Sequence, residues 1–296
     1  MTNRLELNWK LDGFVDEQRY YCSETPIDPE NLPVPKAILA SDVRTYVDTA
    51  IEVGKKYYVR LGAVKNNIEK LSDEKIVIAD RDSYWTSVAS LLHFDGENNS
   101  TVFSDEKGVS WTRHGNAKIS TDRAKFGESS LRLDGYNSFL SAAAAIFTLG
   151  TQNFTVELWV NMVAYRTMGD GALLGYGTST TNGFCIVIAK DNGDLGFWDG
   201  SLYYSTATPI PLNTWVHIAM CRNGNELSYF INGTKYVLTT SYTKAFNANS
   251  VFRLGGNYAN TNENYLNAFI DDFRITKGVC RYLTSFIPPN LPFLDN

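Results

Sequence analysis

An all-β chain of two successive sandwich domains is the fold class this sequence predicts. Three observations predict it. Apolar residues alternate with period two in segment after segment, glycine-bearing turns recur between them, drawn from 22 glycines, and from Leu91 onward no helical periodicity intervenes. A length of 296 residues suits one small domain followed by one of roughly 200 residues.

The first strand is LELNWKL. Leu5, Leu7, Trp9 and Leu11 share one face and Glu6, Asn8 and Lys10 the other, the mark of a half-buried strand. Asp12-Gly13 then supplies a turn, and RYYCSE reads as the next strand. Pro26, Pro29, Pro33 and Pro35 follow in a segment that lacks ladder donors and is an extended loop. In GKKYYVRLGAV, Tyr57, Val59, Leu61 and Ala63 share a face. Residues 1–80 form the first domain on this reading, 81–89 (from Arg81) the linker, and 90–296 the second domain.

Trp9 on an early strand, YVDT at Tyr46 to Thr49 and Tyr57 leading a late strand together resemble a fibronectin type III domain. That resemblance implies a tyrosine corner, in which the Tyr57 hydroxyl bonds back to the preceding backbone, and it makes Trp9 a core residue. Beyond the linker come LLHFDG, KFGESSLRLDG, FTVELWV, NTWVHIAM, the YFINGT hairpin and IDDFRI. In this order they resemble a laminin-G/concanavalin-A-like lectin jelly roll over essentially all of residues 90 to 288. Asn232-Gly233 is the strongest hairpin signal, because a type I′ turn requires positive φ at both central residues. The pairing of the two modules is similar to tail proteins of tailed bacteriophages. It implies a virion component whose partners are other tail or capsid proteins and a host-surface glycan, with an oligomer compatible. MTNRLELNWKLDG has no apolar core of a secretory leader, so the expected location is the exterior of a virion.

Charge and composition narrow the function. The net charge is −5, and no basic block interleaves with aromatics, which argues against a nucleic-acid ligand. No apolar run approaches the roughly 20 residues of a membrane helix. Cys22, Cys185, Cys221 and Cys280 show no CxxC spacing, so they read as reduced apolar side chains rather than metal ligands.

Catalysis finds little support. A retaining glycosidase needs two carboxylates about 5–5.5 Å apart, and Glu157 is a single acid that reads as an outward, solvated residue. Asp271 and Asp272 are adjacent and point to opposite faces of a regular strand. His93, His114 and His217 have no accompanying nucleophile elbow. SDEKGVSW resembles the sialidase Asp-box, with Glu106 where that box has aspartate. The expectation is therefore a non-enzymatic binding protein, with a purely structural virion protein as the alternative and a glycan-cleaving enzyme behind both.

Carbohydrate contact calls for exposed aromatics beside planar polar groups. Trp198, Tyr203 and Tyr204 in GFWDGSLYYS, and Asn257, Tyr258, Asn260, Asn264 and Tyr265 in GGNYANTNENYLNA, have that character. Many domains of the lectin-like type hold a structural calcium between the start and end of the sandwich. The resemblance places it at Asp95 and Asp271, which otherwise cap a turn and accept backbone hydrogen bonds.

Overall fold

Alternating sequences become strands when one face finds a partner to cover it, and both halves of this chain do so with paired sheets. The computed structural model describes residues 5–52, 55–78, 81–177, 183–246, 251–257 and 265–295. It divides into a smaller unit, residues 1–83 with 294–296, and a larger one, residues 84–293. The smaller unit holds β1 (Leu5–Asn8), β2 (Glu17–Ser23), β3 (Ala37–Ala40), β4 (Thr45–Asp48), β5 (Lys56–Lys65), β6 (Ile68–Leu71) and β7 (Lys75–Ile78). One sheet runs β3-β2-β5-β6, with β7 pairing the first half of β5, and the other is the pair β1-β4. The two sheets meet through the Tyr20 and Tyr46 rings, 5.1 Å apart, and a Tyr20 hydroxyl bond to Asp48 of 2.9 Å.

The Glu52 N–H donates to the Tyr57 hydroxyl at 2.8 Å, so this tyrosine ties its strand to the loop before it. Asn66 and Asn67 both take positive φ at the tight β5–β6 turn, which the sequence reading did not single out. Trp9 departs from expectation. It is half-buried rather than core, its indole N–H donating to Gln18 at 2.8 Å.

In the larger unit the strands are β8 (Val88–Leu92), β9 (Thr112–His114), β10 (Lys118–Ser120), β11 (Ser130–Asp134), β12 (Phe139–Ala143), β13 (Phe154–Ala164), β14 (Gly171–Tyr176), β15 (Phe184–Ile188), β16 (Asp194–Trp198), β17 (Tyr203–Pro209), β18 (Trp215–Asn223), β19 (Glu226–Ile231), β20 (Thr234–Thr239), β21 (Val251–Leu254) and β22 (Asn267–Lys277). They form two antiparallel sheets. One has the order β10-β11-β22-β13-β18-β19-β20 with β8 also on β22, and the other β17-β16-β15-β14-β21-β12-β9. The core lies between them: Leu158, Met220 and Tyr229 from the first sheet meet Phe184, Phe197 and Phe252 from the second. Each such burial contributes about 1.5–3 kcal/mol. The β19–β20 turn has φ of 47° at Asn232 and 76° at Gly233, as a type I′ turn requires.

Candidate functional site

Antiparallel pairing puts directly opposite residues on the same face of a sheet. Following the register of the seven-stranded sheet therefore generates one continuous row on its outer face. Tyr203 lies opposite Trp198, Trp198 opposite Cys185, and Cys185 opposite Gly175. Gly175 lies opposite Arg253, Arg253 opposite Ser141 and Ser141 opposite Thr112. Six strand spacings make this row about 29 Å long. It crosses the whole sheet.

At one end the aromatic pair has a built foundation. Trp198 packs on Cys185 and Val187. A Cβ on Gly196 would meet the Tyr203 ring and hydroxyl at 2.5 to 3.0 Å, so the ring lies across a position that only glycine leaves open. Tyr203 is 48% exposed. Its phenol is pushed up by burial, with the charges of Asp170 and Asp194 adding to the shift, which places two carboxylates in its neighbourhood. An aromatic surface bordered by acceptors is what a sugar, with apolar C–H faces and ring hydroxyls, can use.

In the middle of the row the Cys185 thiol donates to Asn257 Oδ1 at 2.9 Å, and Arg253 donates to the Asn257 carbonyl at 2.6 Å. The guanidinium of Arg253 lies 5.3 Å from the centre of the Phe139 ring. That ring stacks on His114 at 4.1 Å and on Tyr265 at 5.8 Å. His114, whose Nε2 lies 2.8 Å from the Ser141 hydroxyl, has its pKa lowered by burial and by Arg253. The face thus carries two aromatic groups with an Asn–Arg bridge between them.

Of the expected contact residues, Trp198, Tyr203, Asn257 and Tyr265 gather on this face. Tyr204 does not: its neighbour Tyr203 takes the outer side, and Tyr204 packs toward the core, 6.3 Å from Phe197. Tyr258, Asn260 and Asn264 lie outside the described residues. Arg253, Phe139 and His114 were missed, because their strands are remote in sequence and only the register joins them.

The middle of the outer face of the other sheet is covered. Residues 278–293 run across it, pinned by Phe286 N–H to the Gly233 carbonyl at 2.9 Å and by Phe293 N–H to Asp272 at 2.6 Å. Beneath this strap Glu157 is 1% exposed, which corrects its reading as a solvated outward acid. Arg274 donates to it twice, at 3.0 and 2.8 Å, and the Tyr282 hydroxyl once at 2.6 Å. His217 Nε2 lies 3.4 Å from the same carboxylate. Burial alone would raise the Glu157 pKa, but Arg274, His217 and Arg281 hold it well below the carboxylate range. An acid locked in this way is a structural ion pair.

Asp95 and Asp271 both serve the loop between β10 and β11. Asp271 accepts the N–H groups of Lys125 and Phe126 at 2.7 and 3.1 Å, and Glu128 N–H donates to Asp95. Burial, then the charges of Asp272 and Asp95, push Asp271 up to about 7 after its backbone bonds are counted. Asp272 does not simply alternate with Asp271: it has φ of 51° within a bulge against β13, which brings the two carboxylates into electrostatic contact. Among the described residues, no three side-chain donors that include Asp95 or Asp271 lie within 4.8 Å of one another. A calcium ion there would need carbonyl oxygens and waters for most of its shell of six to eight. In the SDEKGVSW turn the organising acid is Asp105, one residue before Glu106. It accepts Lys107 N–H at 2.7 Å, the Trp111 indole at 3.0 Å and the Ser90 hydroxyl at 2.5 Å.

Comparison with known proteins accords with this architecture. No curated protein matches the chain. Among solved structures, domain 4 of AbnA, a GH43 extracellular arabinanase from Geobacillus stearothermophilus in complex with arabinotriose, is 20% identical over 66% of this chain and 94% of that one, with a TM-score of 0.52. It shows a shared fold. The binding domain of botulinum neurotoxin DC in complex with SialylT is 13% identical, over 66% of this chain and 48% of that one, at a TM-score of 0.47. A Trypanosoma rangeli sialidase is 12% identical, over 75% and 40% respectively, at 0.48. The family profile of the concanavalin A-like lectin/glucanases superfamily matches residues 134–281, half of the chain. With that match and the two-sheet jelly roll in agreement, the chain belongs to the concanavalin A-like lectin/glucanases superfamily.

Proposed function

We propose that this protein binds a glycan, without cleaving it, on the outer face of the seven-stranded sheet. The observation that carries the reading is the Trp198–Tyr203 pair, laid side by side on Val187, Cys185 and Gly196 with Tyr203 half-exposed. A sugar would stack there and pass its hydroxyls to Asp170, Asp194 and Asn257. A domain of the same fold is known in complex with arabinotriose, which supports an oligosaccharide as the ligand class. Glu157, the acid that β13 presents, is held by Arg274 under the strap, and this favours binding over hydrolysis.

The setting we propose is a bacteriophage particle, on its tail or as a decoration, where the first module docks to virion proteins and the second meets the host surface. The order of the two modules along the chain supports it. A structural calcium at Asp95 and Asp271 belongs to the same reading, supported by the crowding of their charges with that of Asp272, which a cation would relieve.

The test is a glycan array followed by calorimetry on the hits, using the parent, Trp198→Ala and Tyr203→Ala. Saturable binding should weaken about tenfold or more in each variant, with each variant still unfolding in a single cooperative transition above the assay temperature. Binding that both variants keep would move the site elsewhere. Shortened saccharide products would replace the reading with an enzymatic one.

A further inference from the structure

In the smaller unit a two-stranded sheet of four residue pairs, β1 with β4, lies over a sheet built on the ten-residue β5. Two short strands cannot cover that area. Along the inward face of β5, Tyr57 and Val59 are buried, but Leu61 and Ala63, the next two inward positions, are only half-buried. The uncovered strip is an apolar trough of about 600 Å³ lined by Trp9, Leu11, Val15, Leu61 and Leu71. It is continued by one of about 440 Å³ between β1 and β7, which shares Trp9 and Leu61. Its walls are strand edges. Among the described residues β1 pairs only with β4, while β6 and β7 pair only with β5, so each has a free side with unpaired N–H and C=O groups.

Charge distinguishes the kind of segment that fits. Lys10, Lys65 and Lys70 border the first part and Lys75 the second, against Asp12 and Asp73. All four lysines are exposed, and among the described residues none of them forms an ion pair. A local excess of positive charge on a chain of net charge −5 is a rim complementary to carboxylates.

We propose that this trough accepts an extended strand from a partner protein, whose trough-facing side carries both apolar side chains, against Trp9 and Leu61, and acidic side chains, against Lys65, Lys70 and Lys75, which the register places on the same face as Leu61. The added strand would pair with the free edge of β1 or of β7 and complete the sandwich, the mode of recognition in which backbone hydrogen bonds provide affinity and alternate side chains provide selection. The site is independent of the glycan face and stands whether or not a sugar binds.

The probe is a fluorescein-labelled peptide of about ten residues, a usual strand length, with valine and glutamate taken in turn at every second position and serine between them, so that both share one face. Its anisotropy is followed on titration with the full chain, beside a valine–lysine peptide of equal length. The valine–glutamate peptide should bind saturably, about tenfold or more tighter than its lysine counterpart, and more weakly as salt is added. Leu61→Asp should abolish binding. Because that change also threatens folding, the double surface variant Lys10→Glu, Lys70→Glu is the decisive one: it should keep the parent melting temperature and reverse the preference between the peptides. Equal binding of both peptides, binding of neither at millimolar concentration, or a concentration-dependent dimer that excludes the valine–glutamate peptide would each overturn the proposal.

Discussion

Replacing Arg274 by methionine isolates the contribution of the ion pair beneath the strap. Arg274 gives Glu157 two hydrogen bonds and is 5% exposed, so Arg274→Met leaves a buried carboxylate without its main cation. Removing one partner of a buried pair costs about 3–5 kcal/mol. Arg281 remains 3.7 Å from the same oxygen and the Tyr282 hydroxyl still donates, so the lower figure applies. For a unit of this size about 3 kcal/mol corresponds to a fall of roughly 6–12 °C in melting temperature. Scanning calorimetry of the larger unit's transition at pH 7 reads it directly. The pH dependence has a definite sign. Glu157 has a folded pKa below its ordinary value of 4.5, so its stabilisation is present above that value and is lost as pH falls through the folded one. The gap between parent and variant should therefore narrow below about pH 4.5, and Glu157→Gln added to Arg274→Met should recover part of the loss at pH 7. A variant within about 1 kcal/mol of the parent at pH 7, or a gap that widens in acid, would refute the reasoning.

Tyr57→Phe removes the hydroxyl that accepts from Glu52 and should cost about 1 kcal/mol, read as a lower melting temperature of the smaller unit. An unchanged transition would deny the corner its role. Gly233→Ala would bring a Cβ to 1.9 Å from the Phe286 carbonyl oxygen at a residue with φ of 76°. A loss of about 1–3 kcal/mol is expected, and retained stability would show that the strap moves freely. If calcium binds at Asp95 and Asp271, millimolar calcium should raise the larger unit's transition and chelator lower it, by about 2.7 kcal/mol at a hundredfold excess over Kd. Superimposable traces would exclude the metal. Asp271→Asn keeps an acceptor for Lys125 and Phe126 and should abolish any calcium response.

Period-two alternation was enough to predict an all-β chain, and the ordered segments from LLHFDG to IDDFRI were enough to indicate the jelly roll. What alternation does not report is a third layer. FTVELWV reads as half-exposed, yet every residue from Phe154 to Met162 is buried, because a segment more than a hundred positions later covers the polar side. Glu157 was misread for that reason. Trp9 failed in the opposite direction, its alternation promising a covered face that the two-stranded sheet is too small to provide. At the candidate site, Trp198 and Tyr203 were legible as neighbours across a short turn. Their alignment with Arg253, Ser141 and Thr112 depends on pairings among β9, β12, β14, β15 and β21, which no local pattern encodes.

The strap across residues 278–293 makes the jelly roll one-sided, with consequences for valency. A sandwich open on both broad faces could bridge two ligand-bearing surfaces; this one offers a single fully open broad face, because the middle of its second face is already occupied by its own chain. Avidity for a dense glycan coat would then have to arise from several copies presenting the same side together. Any attachment or tag beyond the strap would be best judged by whether it leaves the Phe286–Gly233 contact in place.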